Sequence, residues 1–302
     1  MHCFFSPISG RARAFAVAFS AFLLFSGAAS QAATPGDQAG VFTSGSVRYL
    51  FRICSTCPQP TGVLDSQSDG AFGSLGPAIV SGFGARGEGE ASFAGRARIL
   101  GTEGLPELRA DARATPGIGE HEGFSEPGFY DFNALAASRA AQYFTYTGDT
   151  PQTYTMTYTL SGFAGSTLAS PTIDDEALIS VGAVVTLFDD GDKLGGELPM
   201  GHVVDIDRIS VNGSAHDFRQ SGSVSITLEP GDSYYLNAAL TAQVAIGGQG
   251  IADAGQTLTI AFTAGDTSQL DVLLAVPEPA SYALMGVGLM VTCLMLRRNR
   301  RI

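Results

Sequence analysis

Along residues 154–160, reading YTMTYTL, large apolar and small polar side chains alternate without a break. An extended chain turns successive side chains to opposite faces, so Tyr154, Met156, Tyr158 and Leu160 share one face and three threonines share the other. The same period of two recurs in SVSITL, which places Val224, Ile226 and Leu228 together. After the turn EPGD, the segment YLNAALTAQVAI aligns Leu236, Ala238, Leu240, Ala242, Val244 and Ile246; TLTIAFT then aligns Leu258, Ile260 and Phe262. Nearer the start, VFTSGSVRYLFRI and EASFAGRARIL also read as strands. Strands with one apolar face must bury it against a second sheet. Their separation by Gly, Pro and Asp turns predicts an all-β protein with an antiparallel, jelly-roll-like β-sandwich body.

Two stretches depart from this pattern. DFNALAASRAAQYF (131–144) is the one segment of the body with a helical period, and 101–127, rich in Gly, Pro and Glu, reads as a long exposed loop. A boundary between two lobes is conceivable near residue 130.

The ends follow different rules. Arg11 and Arg13 precede an apolar run from Ala14 to Ala29, and small residues Ser30 and Ala32 follow, the layout of a secretory signal peptide over 1–33. At the other end no charge occurs from Ser281 to Leu296. A helix over 281–296 would reach about 24 Å at 1.5 Å per residue, short of a hydrocarbon core of roughly 30 Å. Four arginines, Arg297, Arg298, Arg300 and Arg301, then stop it and favour the cytoplasmic side. The body over 34–275 is therefore expected outside the inner membrane, held by a single transmembrane helix. Pro277 and Pro279 cannot join the helix interior and mark its start.

VPEPAS, one short apolar helix and the closing RRNRR resemble the PEP-CTERM sorting signal of Gram-negative bacteria. The resemblance is confined to residues 276–302. It implies a membrane-bound processing enzyme, an exosortase, as partner, with Pro277, Glu278 and Pro279 as the recognition motif and Arg297 to Arg301 as its basic end. It further implies a transient membrane hold, then a place at the cell surface or in an extracellular matrix rich in polysaccharide and biofilm. It implies nothing about the chemistry of the body.

Charge narrows that chemistry. Residues 34–276 hold 11 Lys and Arg against 28 Asp and Glu, a net −17. Such a surface repels phosphate backbones and excludes nucleic acid as a natural partner. Cys54 and Cys57, the only cysteines of the body, form a C-x-x-C followed by prolines and without a second pair. A short disulfide is expected there rather than a redox or zinc site. FDDGDKLGGE gathers Asp189, Asp190, Asp192 and Glu197 around glycines, the oxygen-rich tight loop that calcium uses, although the spacing is not that of an EF-hand. The alternative is a solvated acidic turn, a description that also fits Asp174, Asp175 and Glu176. No cofactor is otherwise called for. His121, His202 and His216 belong to no nucleophile signature, and the sequon at Asn212 is read as chance. The expected protein is a non-catalytic surface or matrix protein; a carbohydrate- or calcium-binding module and a secreted hydrolase are the alternatives.

Overall fold

The computed structural model describes residues 39–53, 59–72, 74–100, 105–169, 175, 177–189, 203–212, 216–254 and 257–272. In chain order the strands are β1 (Gly40–Arg52), β2 (Thr61–Phe72), β3 (Ala78–Arg86), β4 (Gly89–Leu100), β5 (Leu105–Thr115) and β6 (Gly117–Gly119). They continue as β7 (Gly128–Tyr146), β8 (Gln152–Ser166), β9 (Ile179–Asp189), β10 (Val203–Asn212) and β11 (His216–Leu228). The last four are β12 (Ser233–Val244), β13 (Gly250–Asp253), β14 (Leu258–Ala264) and β15 (Leu270–Val272). Among the described residues the fold is all-β, and every strand pair is antiparallel.

Two sheets face one another. The first runs β10-β9-β12-β7-β1-β2, with β6 and β15 added to the ends of β7; the second runs β11-β8-β13-β5-β4-β3, with β14 also seated between β5 and β8. From β7 onward the chain passes repeatedly from sheet to sheet, whereas β3-β4-β5 is a plain meander. One continuous apolar cluster, drawn from Val41 through Leu270, fills the space between them. Each large side chain in it, such as Phe132 or Leu108 at 0% exposure, contributes about 1.5–3 kcal/mol by leaving water.

The alternation in the sequence is realised where the apolar residues are large. Tyr154, Met156, Tyr158, Leu160, Val224, Ile226, Leu228, Leu236, Leu240 and Val244 are all buried. Ile246 is not: the chain leaves β12 at Val244, and Ile246 stands exposed in the following turn.

Two expectations are corrected. The middle of the stretch expected as an exposed loop is β5, a strand inside the second sheet. ELRADARAT alternates as strictly as any segment, but its inward residues after Leu108 are alanines and its outward ones from Glu107 to Arg113 are charged, so the composition hid the period. Among the described residues of that stretch, 120–127, between β6 and β7, remains a loop. DFNALAASRAAQYF, expected to be helical, lies in β7, the longest strand and the centre of the first sheet. Alanine prefers helix by a few tenths of a kcal/mol, and ladders on both sides of the strand outweigh that preference. Position 130 thus falls inside a continuous strand.

At one side of the sandwich, β2 runs beside the edge strand β3 and supplies carboxylates to its unpaired backbone. Ile79 N–H donates to Asp69 Oδ2 (2.8 Å) and Phe83 N–H to Asp65 Oδ2 (3.2 Å). Filling an open edge with side-chain acceptors blocks the pairing of another chain there. Across the interior, Ser138 Oγ on β7 donates to the Arg109 carbonyl on β5 (2.6 Å), tying the two sheets together through a part-buried polar contact.

Candidate functional site

The outer face of the second sheet carries two different surfaces. On β8 and β11 the outward residues are threonines and serines, matched in register: Thr153 faces Thr227 with hydroxyl oxygens 3.0 Å apart, and Thr155 faces Ser225 at 2.9 Å. This part is uncharged from Thr153 to Ser161 on β8 and from Ser221 to Leu228 on β11. On β4 and β5 the outward residues become charged, with Arg98 bonded to Glu107 (Nε to Oε1, 2.8 Å) and Arg113 bonded to Asp111.

Beside these ion pairs lies an open depression of about 630 Å³. Its walls are Ser81 and Phe83 of β3, Ser92 of β4, Asp111 and Arg113 of β5, and Asp65 reaching over from β2. Gly82 and Ala94 leave its floor low above the buried ring of Phe93. Phe83 is 57% exposed, a large apolar ring that folding leaves in water. Arg113 presents its fork to Asp111, with Nη2 3.1 Å from Oδ2 and Nε 3.2 Å from Oδ1, and its Nη2 lies 3.5 Å from Asp253 Oδ2. The side chains of Ser81 and Ser92 make no hydrogen bond to other described residues.

Burial is the main reason that the Asp111 carboxyl lies above its ordinary value of 3.8, despite the opposing pull of Arg113; Asp253 pushes the same way as burial. Asp111 stabilises Arg113 in turn, raising the guanidinium above its usual range. A carboxyl whose pKa rises on folding binds its proton more tightly in the folded state. Its contribution is therefore complete below 3.8 and is lost as pH climbs through the raised value. Asp111→Asn, neutral at every pH, should gain stability relative to the native chain over that climb. Urea midpoints of both chains, measured from below 3.8 to neutrality, check this; a constant gap between them refutes it.

His121 sits among aromatic rings rather than acids. Its ring lies 4.9 Å from that of Phe51 and 5.7 Å from Phe124, and Nδ1 is 2.9 Å from the Glu122 carbonyl oxygen. Tyr130, in the same cluster, donates its hydroxyl to the Glu120 carbonyl (2.7 Å). These contacts fasten the loop at 120–127 to the end of β1 and β7.

Several residues singled out by the sequence lie outside the described residues: Cys54, Cys57, Asp174, Glu176, Asp190, Asp192, Glu197 and His202, both chain ends, and every residue of the 276–302 tail. Asp189 closes β9, Asn212 closes β10 and His216 opens β11 by their backbones. Among the described residues no three His, Cys, Asp or Glu side chains converge as metal ligands. No helix among them is long and apolar enough to cross a membrane. The depression escaped the sequence reading altogether. Asp65, Phe83, Ser92 and Asp111 belong to four different strands, and no spacing along the chain signals their meeting.

The body, then, is an antiparallel β protein with an open polar face. Residues 275–301 match the family model of the PEP-CTERM protein-sorting motif. The chain thus carries that motif, which marks it for export in a Gram-negative bacterium and for processing by an exosortase. Compared with curated proteins, the chain matches none.

Proposed function

We propose that this chain is a non-catalytic protein of the cell surface or extracellular matrix, associated with extracellular polysaccharide. The signal peptide over 1–33 directs its export, and the helix over 281–296 holds it in the membrane until the exosortase cuts near Pro277–Pro279. The sorting motif carries this reading, because it is the one feature with a defined cellular destination. The body is consistent with it: its excess of carboxylates keeps it soluble outside the cell, and its exposed sheet face is open and polar.

A second reading, a carbohydrate-binding module on the same scaffold, draws on the depression beside Phe83.

Mass spectrometry of the C-terminus tests the reading. In cells with the exosortase, the extracellular pool should end near Pro277–Pro279; in cells without it, the chain should keep Ile302 and stay in the membrane fraction. Full-length chain ending at Ile302 in the extracellular pool overturns the proposal.

A further inference from the structure

We propose that the depression walled by Asp65, Ser81, Phe83, Ser92, Asp111 and Arg113 is a binding site for a neutral sugar unit of a polysaccharide. The inference rests on the matrix reading above and names the surface that would serve it.

Three observations combine. First, Phe83 is 57% exposed at the rim of a concave surface, a position that offers the ring to the apolar C–H face of a sugar ring. Second, the polar groups around it suit vicinal hydroxyls. Asp111 and Arg113 are planar groups locked to each other by the bonds Nη2 to Oδ2 (3.1 Å) and Nε to Oδ1 (3.2 Å). Oδ2 also accepts from Nε (3.3 Å), so the further lone pair lies on Oδ1, and the guanidinium has more donors than these bonds use. The Ser81 and Ser92 hydroxyls stand ready on the two neighbouring strands. A few fixed polar groups around an apolar surface are the usual make-up of a small-molecule site.

Third, charge selects among sugars. Asp65, Asp111 and Asp253 outnumber Arg113 at this site, and the body as a whole is acidic, so a polymer of uronic acids is repelled. A divalent cation is poorly served, since Asp65 Oδ2 already accepts from Phe83 N–H and Asp111 from Arg113. The surface beyond the depression suits a long neutral chain. From β3 to β11 the sheet spans five strand spacings, roughly 24 Å, and ends in the uncharged hydroxyl rows of β8 and β11.

The test uses the full exported protein in affinity electrophoresis through gels containing hydroxyethyl cellulose, dextran or galactomannan, with alginate as the acidic polymer. At least one neutral polymer should retard the protein, and alginate should not. Phe83→Ala, an exposed position whose change should leave the melting temperature unmoved, should weaken that retardation about tenfold, as loss of one ring contact implies. Ser92→Trp, which fills the depression, should abolish it. Retardation by none of the neutral polymers, stronger retardation by alginate, or full retention by Phe83→Ala overturns the proposal. Cell fractionation separates its failure from that of the matrix reading. If native protein and Phe83→Ala both stay with the matrix, the sugar site is wrong and the reading stands. If native protein is absent from the matrix, the reading itself falls.

Discussion

Gly45→Ala should destabilise the fold by about 3 kcal/mol, near the upper end of what overpacking a core costs. Gly45 lies in β1 and faces the second sheet, where a Cβ would come within 3.0 Å of three atoms of the Phe93 ring. The ring cannot retreat. A Cβ at Gly82 on its other side would also meet Phe93 within 3.0 Å, so the aromatic side chain already occupies the space that both glycines leave open. Phe93 is 2% exposed, and interiors at crystal-like density offer no free volume for it to enter. Chemical denaturation of Gly45→Ala should show the loss, and adding Phe93→Leu should return part of it. Equal midpoints for Gly45→Ala and the native chain would show that the sheets can separate there at little cost.

Arg52→Met should cost about 2 kcal/mol. Asp131 on β7 is 7% exposed at its side chain and forms an ion pair with Arg52 on β1, the adjacent strand. Removing one partner of a fully buried pair costs roughly 3–5 kcal/mol, because the survivor is left charged and desolvated. Here the guanidinium is 44% exposed and partly solvated, so a smaller figure applies. Replacing both residues, Arg52→Met with Asp131→Asn, removes the stranded charge and should recover most of the loss. A double-mutant cycle by urea unfolding reads the coupling. If Arg52→Met alone unfolds at the native midpoint, the pair behaves as a surface contact and the carboxylate is wet.

These two predictions sit at opposite ends of what the sequence reveals. VFTSGSVRYLFRI, which holds Gly45, reads as a strand in the sequence, yet nothing there says that Phe93 must pass above that glycine. Asp131 begins the stretch DFNALAASRAAQYF, whose alanines suggest a helix. Its partner becomes known only when β7 is seen beside β1.

The sequence by itself determined that the chain carries an export-sorting signal and that its fold is all-β. A sorting signal is read linearly, so Pro-Glu-Pro, the uncharged apolar run and the arginines keep their meaning without a tertiary structure. Alternation of large apolar residues is equally local, because every strand that buries one face obeys the same period of two. Only the tertiary structure decided that β5 and β7 are strands, since alanine buries little area and its local preference points to helix. The tertiary structure also brought Phe83, Asp111 and Asp65 around one depression. Strand order places side chains that lie up to 48 residues apart, Asp65 and Arg113, within reach of one ligand, and strand order is settled by how two apolar faces close on each other.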